Sequence, residues 1–128
     1  MKTILVVDDD RHLRTIVQRA LALSGYQVHE TSNGFDALRL LDQLHPDLVI
    51  TDVYMPDMDG IEFVRKAKQG INRPEMIVMS GGGNMSVEAV LEIATKLGAR
   101  QTLRKPFSTD ELLQAVTAVF KETGKPNS

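Results

Sequence analysis

The sequence predicts an α/β fold, a doubly wound (βα)5 unit whose parallel five-stranded sheet carries helices on both faces. Three observations predict it. Short all-apolar runs recur, each run closes on acidic, hydroxyl or basic residues, and the segments between them repeat apolar side chains at helical spacing. Strands joined by helical crossovers pair in parallel through right-handed connections, so this alternation builds an open sheet covered on both faces.

Ile4-Leu5-Val6-Val7 is the first strand, closed by Asp8, Asp9 and Asp10, the last placed to cap a helix. Leu13, Ile16, Val17, Ala20 and Leu21 mark that helix, and Ser24-Gly25 ends it. Gln27–Thr31 is a weaker strand and Asn33-Gly34 a turn; Ala37, Leu38, Leu41 and Leu44 form a second helix stopped before Pro46. Leu48-Val49-Ile50-Thr51-Asp52 reads as a buried strand with a carboxylate at its tip. Gly60 leads into a helix carrying Ile61, Phe63, Val64 and Ala67 before Gly70, with Asp59-Gly60 turning the chain into it. Met76-Ile77-Val78-Met79 is a strand ending at Ser80 and running into Gly81-Gly82-Gly83, read either as a closing loop or as a tight turn where only glycine fits. Val87, Val90, Leu91, Ala94 and Leu97 mark a fourth helix, and a short strand around Gln101 to Arg104 leads to Lys105-Pro106. Ser108 and Glu111 form a capping-box pattern ahead of a last helix that buries Leu112, Leu113, Val116, Val119 and Phe120.

At 128 residues the chain makes one domain, able to bury roughly two thirds of the surface its unfolded form exposes. Its 15 Lys and Arg against 17 Asp and Glu leave a net charge of −2, which excludes nucleic-acid binding through bulk positive charge. Cysteine is absent, so disulfide and thiolate-metal chemistry are excluded. The first apolar run is too short for a signal peptide or membrane span, and the expectation is a cytoplasmic protein. Met55, Met58, Met76, Met79 and Met85 read as core filling, and His12, His29 and His45 as surface or satisfied histidines.

In open parallel sheets the ligand site lies beyond the carboxyl ends of the strands. With the first, third, fourth and fifth strands adjacent and the second at the edge, those ends collect Asp8, Asp9, Asp52, Ser80 and Lys105. Clustered carboxylates repel one another, so either their pKa values rise or a cation sits among them. All-oxygen ligation without nearby His or Cys favours Mg2+, which completes its shell with water and a substrate phosphate. A backbone carbonyl just after Asp52 offers a further ligand. Lys105 suits a phosphoryl oxygen and the Ser80 hydroxyl another, while a carboxylate needs no base to act as nucleophile. That set points to phosphoryl transfer onto Asp52.

These residues resemble the receiver domain of bacterial two-component response regulators. The resemblance rests on Val6-Val7-Asp8-Asp9-Asp10, on Asp52 with Met55-Pro56 and Asp59-Gly60, on Ser80, and on Lys105-Pro106-Phe107. It covers residues 2–121 and leaves 122–128 as a flexible tail. It implies a flavodoxin-like sheet of strand order 2-1-3-4-5. By the same resemblance Asp52 accepts a phosphoryl group from a histidine kinase or histidine phosphotransfer protein. Mg2+ is held by Asp9, Asp52 and the carbonyl of Tyr54, with Asp8 acting through a water. Ser80 and Lys105 sense the group and switch partner binding at the surface of the fourth helix, fifth strand and fifth helix. The implied protein is a monomer able to dimerise on phosphorylation, without direct contact to nucleic acid or membrane, and it turns over nothing beyond its own phosphorylation and dephosphorylation.

The sequence departs from the family pattern at Thr102, where an aromatic residue usually stands three places before the lysine. Arg100 and Gln101 replace commonly acidic residues, which with Lys96 and Arg104 makes that face more basic. Tyr54 stands where, by the resemblance, the side chain can affect water access to the phosphoryl group, and the 128 residues hold no appended output domain. Two alternatives remain: an adaptor that binds partners without phosphorylation, and a haloacid-dehalogenase-type phosphatase suggested by Asp57-Met58-Asp59-Gly60-Ile61. The second is disfavoured because the acid that directly ends the strand is Asp52, and the chain lacks length for a substrate cap.

Overall fold

The alternation of apolar runs and amphipathic segments becomes, in a computed structural model describing residues 1–82 and 85–123, five strands and five helices. They run β1 (Thr3–Val7), α1 (Arg11–Leu23), β2 (Gln27–Thr31), α2 (Gly34–Leu44), β3 (Leu48–Asp52), α3 (Gly60–Gln69), β4 (Glu75–Ser80), α4 (Val87–Lys96), β5 (Gln101–Arg104) and α5 (Thr109–Glu122). All neighbouring strands are parallel, in the order β2-β1-β3-β4-β5, with β2 at an edge, as expected of a strand whose end, Thr31-Ser32, adds nothing comparable to the site. α5 continues through Glu122, so the first residue of the expected tail is helical; residues 124–128, like Gly83 of the glycine run, lie outside the described residues.

Side chains alternate across a strand, and here both faces are apolar. Ile4, Val6, Leu48, Ile50 and Ile77 pack against α1 through Val17 and Leu21, and against α5 through Leu112, Val116 and Phe120. Leu5, Val7, Val49, Met76 and Val78 take the opposite face with Ala37 of α2, Phe63 of α3 and Ala94 of α4. Phe63 and Phe120 are fully buried, and burial of such a side chain stabilises by about 1.5–3 kcal/mol each. Met55, Met58, Met76 and Met79 lie in this core as expected, whereas Met85 is 47% exposed, because it precedes α4 instead of lying on the buried stripe.

Each helix begins on a side-chain cap that satisfies amides left without intrahelical partners. Asp10 accepts from the His12 and Leu13 amides, Asn33 from Asp36, Asp59 from Glu62 and Ser86 from Ala89, while Ser108 and Glu111 close the reciprocal capping box. Asn33-Gly34 is thus the start of α2 and not a free turn. At the far end of α2, His45 takes the left-handed conformation (φ 47°), and its Nδ1 lies 2.9 Å from Asn72 Oδ1, so this histidine is satisfied.

The entry to α3 is tied directly to the end of β3. The Gly60 amide donates to the Val53 carbonyl at 2.7 Å, and a Cβ added at Gly60 would stand 1.9 Å from the carbonyl oxygen of Asp52. Gly60→Ala therefore forces the two segments apart and is expected to lower stability by about 3 kcal/mol in urea unfolding, the upper range for overpacking. Gly82→Ala is the control: nothing lies within 4 Å of its added Cβ, and its stability should stay within about 0.5 kcal/mol of wild type.

Candidate functional site

The carboxyl edge of the sheet gathers the residues that sequence reading assigns to it. Asp52 is the last residue of β3 and Ser80 the last of β4, and Asp8 and Lys105 directly follow β1 and β5. The Lys105 ammonium lies 3.0 Å from Asp52 Oδ1 and 3.1 Å from Asp8 Oδ2, bridging two buried carboxylates. The other oxygen of Asp8, Oδ1, accepts the Asp10 amide at 2.9 Å. Asp9 turns to solvent, yet one of its carboxylate oxygens lies within 4.8 Å of one from Asp8 and one from Asp52.

Burial, more than repulsion, sets the electrostatics. Loss of water raises the pKa of Asp52 above the ordinary carboxylate value, the charge of Asp8 raises it further, and contacts with Lys105 and the Val53 amide offset part of the rise. Burial works to lower Lys105, but its hydrogen bond to Asp52 and the charges of Asp52 and Asp8 prevail and hold it above its usual value. Of the sequence alternatives, a raised pKa is found at Asp52, and Lys105 places a positive charge between Asp52 and Asp8.

Ser80 is fully buried, and among the described residues its Oγ is the buried side-chain polar atom without a hydrogen-bond partner. A hydroxyl so placed costs stability until an acceptor reaches it. Its backbone carbonyl meanwhile accepts the Lys105 amide at 2.9 Å, so hydroxyl and ammonium belong to one rigid corner. Gly81 completes that corner, since an added Cβ would come within 2.6 Å of Lys105 Cβ; the tight-packing reading of the glycine run holds there and does not hold at Gly82. Above the floor of Asp52 and Lys105 opens a cavity of about 510 Å³, walled by Leu13, Ile16, Tyr54 and Phe107. Three carboxylates converging with oxygen donors alone fit a hard divalent cation, which answers the charge left after Lys105 is counted.

Other expectations need correction or were not formed. Arg100 pairs with Glu75, Arg104 with Glu88 and Lys96 with Glu92, so the β5 surface is locally neutralised and not free positive charge. Asp59 spends its carboxylate on capping α3, and Asp57 lies in the loop beyond β3 while Asp52 is the acid that ends the strand, so the phosphatase signature does not have its first acid at the strand end. Thr102 is half-buried in β5, level with Val78. Sequence reading did not single out Arg14, whose guanidinium donates to the Asp8 carbonyl at 2.7 Å; its only signal is a cation one turn beyond the acidic stretch.

The family model for the response regulator receiver domain matches residues 4–117, and the chain belongs to that family. Its sequence is 38% identical over 109 residues to the regulatory protein AtoC of Escherichia coli (strain K12), covering 85% of this chain and 23% of that protein. It is 35% identical over 120 residues to the response regulator MprA of Mycobacterium sp. (strain KMS), covering 94% of this chain and 51% of that protein. The chain therefore spans about a quarter to a half of these two relatives. The solved chemotaxis response regulator CheY4 of Vibrio cholerae superposes with a TM-score of 0.84 at 28% identity, covering 93% of this chain and 98% of that one. The domain is a receiver of two-component signalling. Among the described residues no helix is long and apolar enough to cross a membrane.

The raised pKa of Asp52 has a testable sign. The folded state holds that proton more tightly than the unfolded chain, so the associated stability is complete below the unfolded pKa and lost as pH rises through the folded one. In metal-free buffer, Asp52→Asn should therefore gain stability relative to wild type as pH rises from about 4 to 7, the range above the ordinary carboxylate pKa. Urea midpoints across that range measure it; a variant less stable than wild type at pH 7 would show that the Lys105 contact outweighs desolvation.

Proposed function

We propose that Asp52 is the phosphoryl acceptor of this receiver, charged by the phosphohistidine of a histidine kinase or histidine phosphotransfer protein. The observation that carries this reading is the unpartnered buried hydroxyl of Ser80, one residue beyond the Met79 that pairs with Asp52, beside a carboxylate already held by Lys105. A carboxylate oxygen of Asp52 attacks phosphorus, the P–N bond to the donor imidazole breaks, and its electron pair leaves on the imidazole nitrogen. Lys105 shifts from the carboxylate to one phosphoryl oxygen, and the Ser80 hydroxyl donates to another.

Asp9, Asp52 and the Tyr54 carbonyl would hold Mg2+, with Asp8 reaching it through a water, and the ion supplies neutralisation of charge on the transferring group. The Tyr54 ring, 38% exposed on the cavity wall, stands where it limits water reaching the aspartyl phosphate. Occupation of the Ser80 hydroxyl, transmitted through Lys105 and β5, alters partner binding at the α4-β5-α5 surface. The protein thus catalyses only its own phosphorylation and dephosphorylation.

Incubation with Mg2+ and acetyl phosphate should add about 80 Da, one phosphoryl group, to the intact mass of wild type. Asp52→Asn should gain none; an adduct on that variant would name another acceptor, and no adduct on wild type would favour an adaptor that works unphosphorylated. Independently, Mg2+ at a hundred times its dissociation constant should stabilise wild type by about 2.7 kcal/mol in urea unfolding. The same concentration should stabilise Asp9→Asn clearly less.

A further inference from the structure

The end of β1 is held by more than its strand partners. The Arg14 side chain, 14% exposed, reaches back from α1 and makes two contacts at once. Its Nη1 donates to the backbone carbonyl of Asp8 at 2.7 Å, and its Nε lies 3.1 Å from Glu30 Oε1 in β2. The Asp8 amide donates in turn to the Thr31 carbonyl at 3.2 Å. A guanidinium is planar and rigid, so two bonds from one such group fix the orientation of what they hold.

What they hold is the peptide unit that aims Asp9. The Asp8 carbonyl and the Asp9 amide share one plane, so a fixed carbonyl fixes the direction from which the Asp9 Cα and its carboxylate depart. Asp8 needs no such help, because its side chain is buried and engaged by Lys105 and the Asp10 amide. Asp9 is exposed, and no hydrogen bond of its carboxylate is found among the described residues, yet one of its oxygens stays within 4.8 Å of those of Asp8 and Asp52. We infer that Arg14, braced by Glu30, is a positioning residue for the divalent-cation site, setting the backbone from which Asp9 reaches it.

This inference rests on the cation site assigned to Asp8, Asp9 and Asp52. It opposes what simple electrostatics would give. Arg14 is a positive charge near that site, so removing it through charge alone would tighten divalent-cation binding. Removing it as a positioning group weakens binding, and loss of a group that orients a metal ligand costs about 10- to 100-fold in affinity. Lysine keeps the charge but cannot hold the carbonyl and the carboxylate with one rigid plane.

The test titrates Mn2+ alone, followed by electron paramagnetic resonance of the free ion, into wild type, Arg14→Met, Arg14→Lys, Glu30→Gln and Asp9→Asn. Each variant is first shown by urea unfolding to be folded under the titration conditions. The expected result is about a tenfold loss in Arg14→Met, a loss in the same direction for Arg14→Lys, and a smaller one for Glu30→Gln. Affinity in Arg14→Met equal to or tighter than wild type, or Arg14→Lys indistinguishable from wild type, overturns the inference. If Arg14→Met does not fold, Arg14→Lys decides it, and wild-type affinity in that variant overturns it. Failure of wild type to bind Mn2+, or wild-type affinity in Asp9→Asn, removes the cation site and this inference with it. Normal wild-type binding that Asp9→Asn loses, with the Arg14 and Glu30 variants unaffected, removes only the role of Arg14.

Discussion

A half-buried lysine shared between two buried carboxylates is the interaction on which the remainder of this molecule depends. Lys105 meets Asp52 at 3.0 Å and Asp8 at 3.1 Å, from a strand two places away from one acid and three from the other. Taking the lysine out leaves both carboxylates uncompensated, a change that for a buried pair typically costs about 3–5 kcal/mol. Two acids and one base cannot cancel, and Asp9 adds a third acid at the rim. The sheet edge is therefore built with surplus negative charge, held at the cost of a raised Asp52 pKa. A stable fold tolerates this locally because the two apolar layers beneath it are continuous.

The backbone around the site is as constrained as its charges. Gly60 sits against the Asp52 carbonyl and Gly81 against the Lys105 side chain, so neither Asp52 nor Lys105 can move without shifting the start of α3 or the end of β4. Arg14 does the same for the Asp8 carbonyl through a side chain instead of close packing. Asp8, Asp52 and Lys105 thus stand on segments whose positions are determined twice, by the sheet ladder and by a second contact from another element. That is how a site on loops gains the precision of one on strands.

Much of this was legible in sequence, and for stated reasons. Buried parallel strands are apolar on both faces, so β1, β3 and β4 announce themselves as continuous runs, and the polar residue that ends each run must be at the ligand edge. That logic brought Asp8, Asp52 and Ser80 together, and Lys105 joined them as the residue following the short, mixed fifth strand. Met85 was misjudged because apolar character does not distinguish a loop residue from one on a buried stripe. The surface of β5 was misjudged because a count of cations is blind to Glu75, Glu88 and Glu92, which reach them from β4 and α4. Arg14 was passed over because its target is a main-chain carbonyl, and such a partner has no signature in side-chain identity.

One consequence follows from the spacing of the ion pair along the chain. Asp8 and Lys105 are 97 residues apart in sequence, so the acids emerge from synthesis long before their counter-charge. Until β5 docks beside β4, the acidic pocket has no internal base and the Ser80 corner has no Lys105 wall. The corner of Asp8, Asp52, Ser80 and Lys105 is thereby completed only by the last strand of the sheet to be made.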